Sequence, residues 1–254
     1  MEIKLFSLVV PAYKAEKYIV KNIKLIQDVL ENGGFKYEVI VVSDGSLDKT
    51  YREAKKIKDI RVRIFDYEKN QGKGFAVKYG MAKAKGDVVG FMDSGMDLDP
   101  TGILIAMDYM RLHDADIVVG SKLHPDSVIK YPLFRKLISF FTRWWTQFLF
   151  GFSVIDTQVG LKVFKGRVAR DVFPRLLVKQ FAFDIEILAL ASVLGYKNII
   201  ESPVKLKYRA GSISNKKLAS VILLCFWDTL AIFYRIRILK YYRKSNKKNW
   251  LITE

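Results

Sequence analysis

Three aspartates fall within seven residues in Asp93-Ser94-Gly95-Met96-Asp97-Leu98-Asp99, directly after the apolar run Val88–Met92. Carboxylates crowded on a loop that leaves a buried strand suit an oxygen-ligand metal site. Mg²⁺ keeps one or two carboxylates and completes its shell with substrate phosphates and water. Asp93, where the run ends, is the candidate ligand. Asp99 stands before Pro100 and reads instead as a helix N-cap followed by proline in the first turn. Upstream, Asn70-Gln71-Gly72-Lys73-Gly74 opens a helical stretch. Its glycines allow close backbone approach, and a lysine at a helix start can meet a phosphate. From those five residues alone, a plain glycine turn reads as well.

These residues need a scaffold that brings them to one edge. The runs Leu5–Pro11, Glu38–Val42, Val62–Tyr67, Val88–Met92 and Asp116–Gly120 are rich in Val, Ile and Phe. Most are apolar at consecutive positions, the pattern of strands buried on both faces of a parallel sheet. Helical stretches near Glu16–Asn32, Leu47–Ile57, Lys73–Lys85 and Thr101–His113 separate them. Strands joined by such helices are βαβ units, so the expected fold is α/β, a doubly wound, mostly parallel sheet flanked by helices. Ligands in such sheets bind outside the carboxyl ends of the strands. That rule gathers Pro11 and Tyr13, Ser43-Asp44-Gly45-Ser46, the Asp93 loop, and Gly120-Ser121-Lys122 on one edge.

Beyond His124 the pattern changes. Phe134, Leu137, Ile138, Phe141, Trp145, Phe148 and Leu149 recur at helical spacing and predict an amphipathic helix over about 132–150. A strand (Gly160–Phe164), a helix (Phe183–Leu194), a strand (Ile199–Tyr208) and a long apolar helix (Leu218–Leu239) follow, then a basic tail. No linker separates independent units. A body over 1–214 is expected, with 215–254 as a C-terminal apolar helix and tail.

The chain has 254 residues, half of them hydrophobic, and a formal charge of +17 from 43 Lys and Arg against 26 Asp and Glu. That excess implies an anionic partner: nucleic acid, an acidic membrane surface or phosphorylated small molecules. Nucleic acid is not expected, since carboxylates gathered at the strand ends would repel its phosphates without a metal. The single cysteine, Cys225, sits in an apolar run and reads as an inert thiol, which excludes an intrachain disulfide and a Cys/His zinc cluster. The N-terminal residues lack a basic n-region, so no signal peptide is expected.

Taken in order, Val10-Pro11-Ala12-Tyr13-Lys14-Ala15-Glu16, Val42-Ser43-Asp44-Gly45-Ser46-Leu47-Asp48, Asn70-Gln71-Gly72-Lys73-Gly74 and Gly86-Asp87 through Asp93 resemble the family 2 glycosyltransferases of GT-A fold. Asp156-Thr157-Gln158-Val159-Gly160-Leu161-Lys162-Val163-Phe164, Phe181-Ala182-Phe183-Asp184-Ile185-Glu186-Ile187-Leu188 and Glu201-Ser202-Pro203-Val204 are similar to motifs of dolichyl-phosphate glucosyltransferases and related polyprenyl-phosphate hexosyltransferases, among them the dolichol-phosphate mannose synthases. The resemblance runs from about Ser7 to Ser214. It implies an inverting hexosyltransferase that moves a hexose from a nucleotide-sugar, UDP-glucose before GDP-mannose, to a polyprenyl (dolichyl) phosphate, a step of protein glycosylation. By the same resemblance Pro11, Tyr13, Asp44, Lys73, Asp93 and Ser94 hold the donor. Lys122, Arg135, Ser139 and Gln158 face the acceptor phosphate. Asp93 and Asp156 are the catalytic pair, Asp184 and Glu186 support the acceptor site that Asp156 and Gln158 line, and Asp93 with Asp97 holds Mg²⁺ or Mn²⁺. One departure stands out: the family's metal loop carries Asp-X-Asp, and here the second position is Gly95.

The run Leu218–Tyr234 is shorter than the roughly 20 apolar residues of a spanning helix. Asp228 near its middle would cost about 2.5–3.5 kcal/mol on insertion. Peripheral or monotopic docking on the anionic, cytoplasmic face of a membrane is therefore expected. Arg235, Arg237, Lys240, Arg243, Lys244, Lys247 and Lys248 would meet the headgroups. The same reading leaves room for a small membrane-spanning partner subunit. Two rivals stand beside it. One is a family 2 transferase with a glycan acceptor; the other is a non-catalytic sugar-nucleotide-binding scaffold, for which Gly95 is the main support.

Overall fold

The computed structural model describes residues 2–128, 133–152, 154–206 and 215–243, without the side chains of 133–141 and 215–222. Seven strands form one sheet. They are β1 (Leu5–Ala12), β2 (Lys36–Ser43), β3 (Val62–Asp66), β4 (Val88–Met92), β5 (Ile117–Ser121), β6 (Leu161–Lys165) and β7 (Ile199–Pro203), in the order β3-β2-β1-β4-β6-β5-β7. Every pairing is parallel except those of β6, which runs antiparallel to both β4 and β5. The interior strands β1, β2, β4, β5 and β6 are buried almost throughout, as their unbroken apolar runs predict. The edge strands β3 and β7 are only partly buried.

Helices cover both faces. On one lie α1 (Ile19–Glu31), α2 (Thr50–Ala54) and α4 (Gly102–His113), whose Ile23, Ile26, Ala54, Ile103 and Met107 pack with Phe6, Leu8 and Val10 of β1. On the other lie α3 (Lys73–Lys83), α6 (Gly166–Val172) and α7 (Phe183–Val193). There Val77, Val168, Ile187 and Leu188 meet Val9, Phe91 and Phe164. The doubly wound sheet expected from the sequence is what forms. Between α4 and β6 the chain also makes α5 (Leu133–Phe150), and after β7 it makes α8 (Asn215–Arg237).

Part of the C-terminal segment packs into the core of the body. Ile232 and Ile236 of α8 and the following Tyr242 are buried in the same cluster as α7. The opposite side of α8 leaves Leu223, Leu224, Trp227 and Tyr234 exposed, and α5 adds exposed Trp144 and Phe148. Trp145 stacks on Phe226 with centroids 4.6 Å apart and joins the two helices. Among the described residues no helix is long and apolar enough to cross a membrane.

Local chemistry explains where elements depart from expectation. The helix expected over Leu47–Ile57 contracts to α2. Asp48 accepts hydrogen bonds from the Thr50 N–H at 3.0 Å and hydroxyl at 2.6 Å, which holds the preceding residues as a loop. The helix expected from Glu16 begins at Ile19, after Tyr18 with a non-helical φ of −136°; ahead of it the Ala15 N–H donates to the Thr50 hydroxyl at 2.7 Å, tying the turn after β1 to α2. The short α6 and the 3₁₀ turn Phe173–Arg175 behind it had no signal in the apolar pattern. The strand expected over Ile199–Tyr208 ends at Pro203, and Tyr208 lies outside the described residues.

Candidate active site

The antiparallel course of β6 decides the site's geometry. Met92 of β4 pairs with Leu161 and Phe91 with Lys162, so the amino end of β6 lies beside the carboxyl end of β4. The segment that precedes β6, with Asp156, Gln158 and Gly160, therefore shares an edge with the Asp93 loop that follows β4.

At the junction, the Lys73 ammonium, on the first turn of α3, lies 2.7 Å from Oδ1 of Asp93. Burial works against the Lys73 charge, but the Asp93 and Asp184 carboxylates outweigh it and hold its pKa above the ordinary lysine value. The Asp93 side chain is 43 % exposed, so it faces open space while its backbone N–H donates to the Gly160 carbonyl at 3.2 Å. A Cβ on Gly160 would collide with the Asp93 carboxylate, and only glycine leaves that carboxylate its place. Beneath this pair, Lys162 is fully buried and donates to Asp184 of α7 at 2.5 Å and to the Val159 carbonyl at 2.9 Å. Burial pushes the Lys162 ammonium down and the Asp184 carboxyl up, each opposed by the other's charge. Two ion pairs are thus stacked under the junction, one half open and one sealed.

On the loop itself, Ser94 is buried and its carbonyl accepts from the Asn22 side chain of α1 at 2.7 Å. Met96 takes a left-handed conformation at φ 56°, a strained choice for a residue with a side chain. Asp97 is exposed. Gly95 needs no positive φ, and a Cβ there would meet nothing within 4 Å. Among the described residues no group of three or more His, Cys, Asp or Glu side chains stands ready to enclose a metal. Of the two expected ligands, Asp93 is paired with Lys73 and Asp97 is exposed on the same loop; two carboxylates of this kind suit a cation that arrives with most of its shell on phosphate oxygens.

Asp44, at the end of β2, is buried, and its carboxylate organises the neighbouring loop. Oδ1 accepts from the Tyr67 hydroxyl at 2.7 Å and the Gln71 N–H at 2.9 Å; Oδ2 accepts from the Asn70 amide at 2.9 Å and the Gly72 N–H at 3.1 Å. Burial and the Asp44 hydrogen bond push the Tyr67 hydroxyl pKa far up. Pro11 is buried beside Val42 and Tyr13 stands exposed on the adjoining loop.

Across the junction, Asp156 accepts from the Lys122 backbone N–H at 2.9 Å, joining the loop after β5 to the segment before β6. Its own N–H and that of Ile155 donate to one oxygen of Glu201, at 2.8 and 2.9 Å. Gln158 turns towards α8, with its amide 3.9 Å from the Cys225 sulfur. Arg135 and Ser139 fall in the first half of α5, and their side chains lie outside the described residues.

The structure thus joins Lys73 with Asp93 and Lys122 with Asp156. Three supports went unanticipated: Asn22, Lys162 and Glu201. A lysine within the apolar strand Leu161–Lys165 was a usable signal, since a fully buried lysine demands a partner. Glu201 stood in the Glu201–Val204 motif without a role read from it, and Asn22 acts through a long-range contact that left no signal.

Residues 7–170 match the family model described as glycosyl transferase family 2. The chain is 33 % identical over 204 residues to a dolichyl-phosphate beta-glucosyltransferase of Drosophila melanogaster and 31 % identical over 204 residues to that of Homo sapiens. Each alignment covers 74 % of this chain but 63 % of the relative, so the chain spans under two thirds of their length. Among solved structures, glucosyl-3-phosphoglycerate synthase from Mycobacterium tuberculosis, crystallised with Mn²⁺, UDP and glucosyl-3-phosphoglycerate, superposes with a TM-score of 0.68. It is 20 % identical, with 90 % of this chain and 80 % of that one covered. Mannosyl-3-phosphoglycerate synthase from Rubrobacter xylanophilus gives 0.69 at 16 % identity, over 92 % and 74 % of the two chains. At these identities the structural likeness speaks for the fold.

Proposed function

The chain belongs to glycosyl transferase family 2, and from that premise we propose that it moves a hexose from a nucleotide-sugar to a polyprenyl (dolichyl) phosphate, with inversion. UDP-glucose is the favoured donor and GDP-mannose the next. The observation that carries the reading is the junction itself: a lysine–carboxylate pair at the end of β4 faces a segment tied to Lys122 across one strand ladder. Relatives named for glucosyl transfer to dolichyl phosphate support the acceptor.

In this reading Pro11 and Tyr13 border the nucleoside. Asp44 serves it indirectly by holding Asn70–Gly72, and Lys73 meets the diphosphate beside Asp93 and Ser94. A phosphate monoester has a second pKa near 6, so at neutral pH the acceptor oxygen is already largely ionised. It needs position more than deprotonation. One displacement then suffices: the bond from the anomeric carbon to the acceptor phosphate oxygen forms as the bond to the nucleoside diphosphate breaks. Lys73 stabilises the charge that develops on the departing diphosphate. Mg²⁺ or Mn²⁺, when bound by Asp93 and Asp97, supplies further charge neutralisation there. Asp156 orients the acceptor side, with Lys122, Arg135, Ser139 and Gln158 towards the acceptor phosphate.

The exposed Trp144, Phe148, Leu223, Leu224 and Trp227 and the exposed basic Arg237, Lys240 and Arg243 support docking of α5 and α8 on an anionic membrane surface, peripheral or monotopic, on the cytoplasmic side, whereas Arg235, expected among them, turns to Glu186. Lys244, Lys247 and Lys248 lie outside the described residues. If anionic vesicles fail to bind the chain, a small membrane-spanning partner subunit becomes the better occupant of that patch.

The test is a single assay. The chain is offered UDP-glucose or GDP-mannose with Mg²⁺ or Mn²⁺, against polyprenyl phosphate and free glycans together. Transfer to polyprenyl phosphate, fastest from UDP-glucose, is expected, and Asp93→Ala lowers kcat by about a hundredfold or more. Transfer to glycan alone identifies a different acceptor class, and donor binding without transfer identifies a scaffold. An undiminished Asp93→Ala enzyme overturns the assignment.

A further inference from the structure

The donor loop does not stand alone; it is braced by the segment between α6 and α7. The Lys179 carbonyl accepts from the N–H groups of Gly74 and Phe75 at 2.8 and 3.3 Å, and the Lys179 ammonium reaches the Gln71 side chain at 3.0 Å. Lys78 of α3 donates to the Leu176 carbonyl at 2.8 Å. Packing is close enough that a Cβ on Gly72 would lie 2.5 Å from the Lys179 carbonyl, and one on Gly74 would lie 2.6 Å from that of Val178. Gly72 also has φ 99°, a conformation that favours glycine. Lys73 is held between those two glycines.

The brace has its own anchor. Glu186 of α7 is fully buried, and one of its oxygens accepts from the consecutive N–H groups of Leu177 and Val178, at 2.9 and 2.8 Å. Its other oxygen turns towards the C-terminal segment. There it accepts from the Tyr242 hydroxyl at 2.5 Å, and the Arg235 guanidinium of α8 stands 3.4 Å away. Tyr242 is itself buried, so this contact is shielded from water, where such bonds are strong and their loss is costly.

We propose that Glu186, with Tyr242 and Arg235, forms a positioning relay that makes the C-terminal segment part of the nucleotide-sugar site. The order of contacts runs from Tyr242 and Arg235 through Glu186 to the Leu177–Lys179 backbone, then to Gly72–Gly74 and so to Lys73 opposite Asp93. None of the relay residues need touch the donor. The inference rests on the proposed donor role of Lys73. It adds that α8, whose outer side carries the exposed apolar residues, and the donor loop answer to one buried carboxylate.

The experiment uses the full chain and two conservative variants, Tyr242→Phe and Glu186→Gln. Tyr242→Phe keeps the ring in the core and removes only the hydroxyl. UDP-glucose binding and steady-state kinetics are measured with hydrogen exchange at Leu177 and Val178. The expected result is a donor KM and Kd raised about threefold to tenfold, faster exchange at both amides, and an unchanged acceptor KM. Should Tyr242→Phe not fold, Glu186→Gln gives the same readout, since glutamine retains one carbonyl oxygen for the two N–H groups but offers Arg235 no charge. An unchanged donor KM, or a fall in kcat alone with exchange unaltered, overturns the relay and leaves Tyr242 as ordinary core packing. Wild-type chain that binds no nucleotide-sugar at all instead refutes the donor reading on which the relay rests.

Discussion

The loops that follow β1, β2 and β4 and the loops gathered around β6 are held by the same device but reach it by different routes. Around the first set, Asp44 accepts from the consecutive N–H groups of Gln71 and Gly72. Around the second, Glu201 does the same for Ile155 and Asp156, and Glu186 for Leu177 and Val178. Each carboxylate staples a turn whose backbone would otherwise lack acceptors. The difference lies in topology. In the first set the polar residues follow their strands directly, as a parallel α/β sheet dictates. In the second, Ile155 and Asp156 precede the antiparallel β6 and are stapled from β7, 45 residues away, while Leu177 and Val178 follow α6 and are stapled from α7, about 9 residues away. Parallel strands place their loops by rule; around β6 placement depends on specific contacts from neighbouring elements.

The substitution that strains this division most is Gly160→Ala. Gly160 belongs to the β6 segment, yet its missing side chain is what leaves room for the Asp93 carboxylate. A methyl group there displaces that carboxylate from Lys73. We expect kcat/KM to fall about a hundredfold, as ångström-scale misplacement of a reacting group does, with little change in acceptor KM or melting temperature. A rise confined to acceptor KM would restore a strict division between the two sets of loops. Glu201→Ala sharpens it from the other side. With two N–H groups left unpaired, Asp156 loosens, and acceptor KM should rise about tenfold while donor KM holds.

The smallest effect belongs to neither set. Asp59, near the β3 edge, is held down to about 2 by the Arg61 guanidinium that bonds it. A depressed folded pKa gives stability that is present above the unfolded value of 3.8 and lost as pH falls towards 2. Asp59→Asn should therefore cost about 0.5 kcal/mol at neutral pH, flatten the acid limb of the stability profile in that window, and leave both KM values alone. Urea titrations at pH 7 and pH 3 with the variant and wild type check it.

The same contrast explains what the sequence could disclose. Unbroken apolar runs identified the strands of the sheet, and residues just past them, Asp93 above all, fell where the strand-end rule puts them. Lys73 was a weak glycine-turn signal by itself, and its partner became visible only once α3 and β4 were packed together. Asp44 was correctly placed at a strand end, yet its oxygens are occupied by Tyr67, Asn70, Gln71 and Gly72, which no spacing announces. Glu201 stood in a quoted motif, but its role as a staple for Ile155 and Asp156 did not show there. Tyr242 was least legible, since a tyrosine in a basic tail looks like a surface residue until the fold buries it. The direction of β6 is likewise absent from its five residues, because period and hydrophobicity do not encode which way a strand points.

Gly95 carries a last consequence. The position has ordinary backbone geometry and empty space where a side chain would go. A Cβ in the slot two residues past Asp93 meets nothing within 4 Å, so the backbone there accepts a residue with a side chain, an aspartate included, without a clash at that atom. If the loop holds the proposed cation, its carboxylate count is set by a position on which the surrounding architecture does not lean.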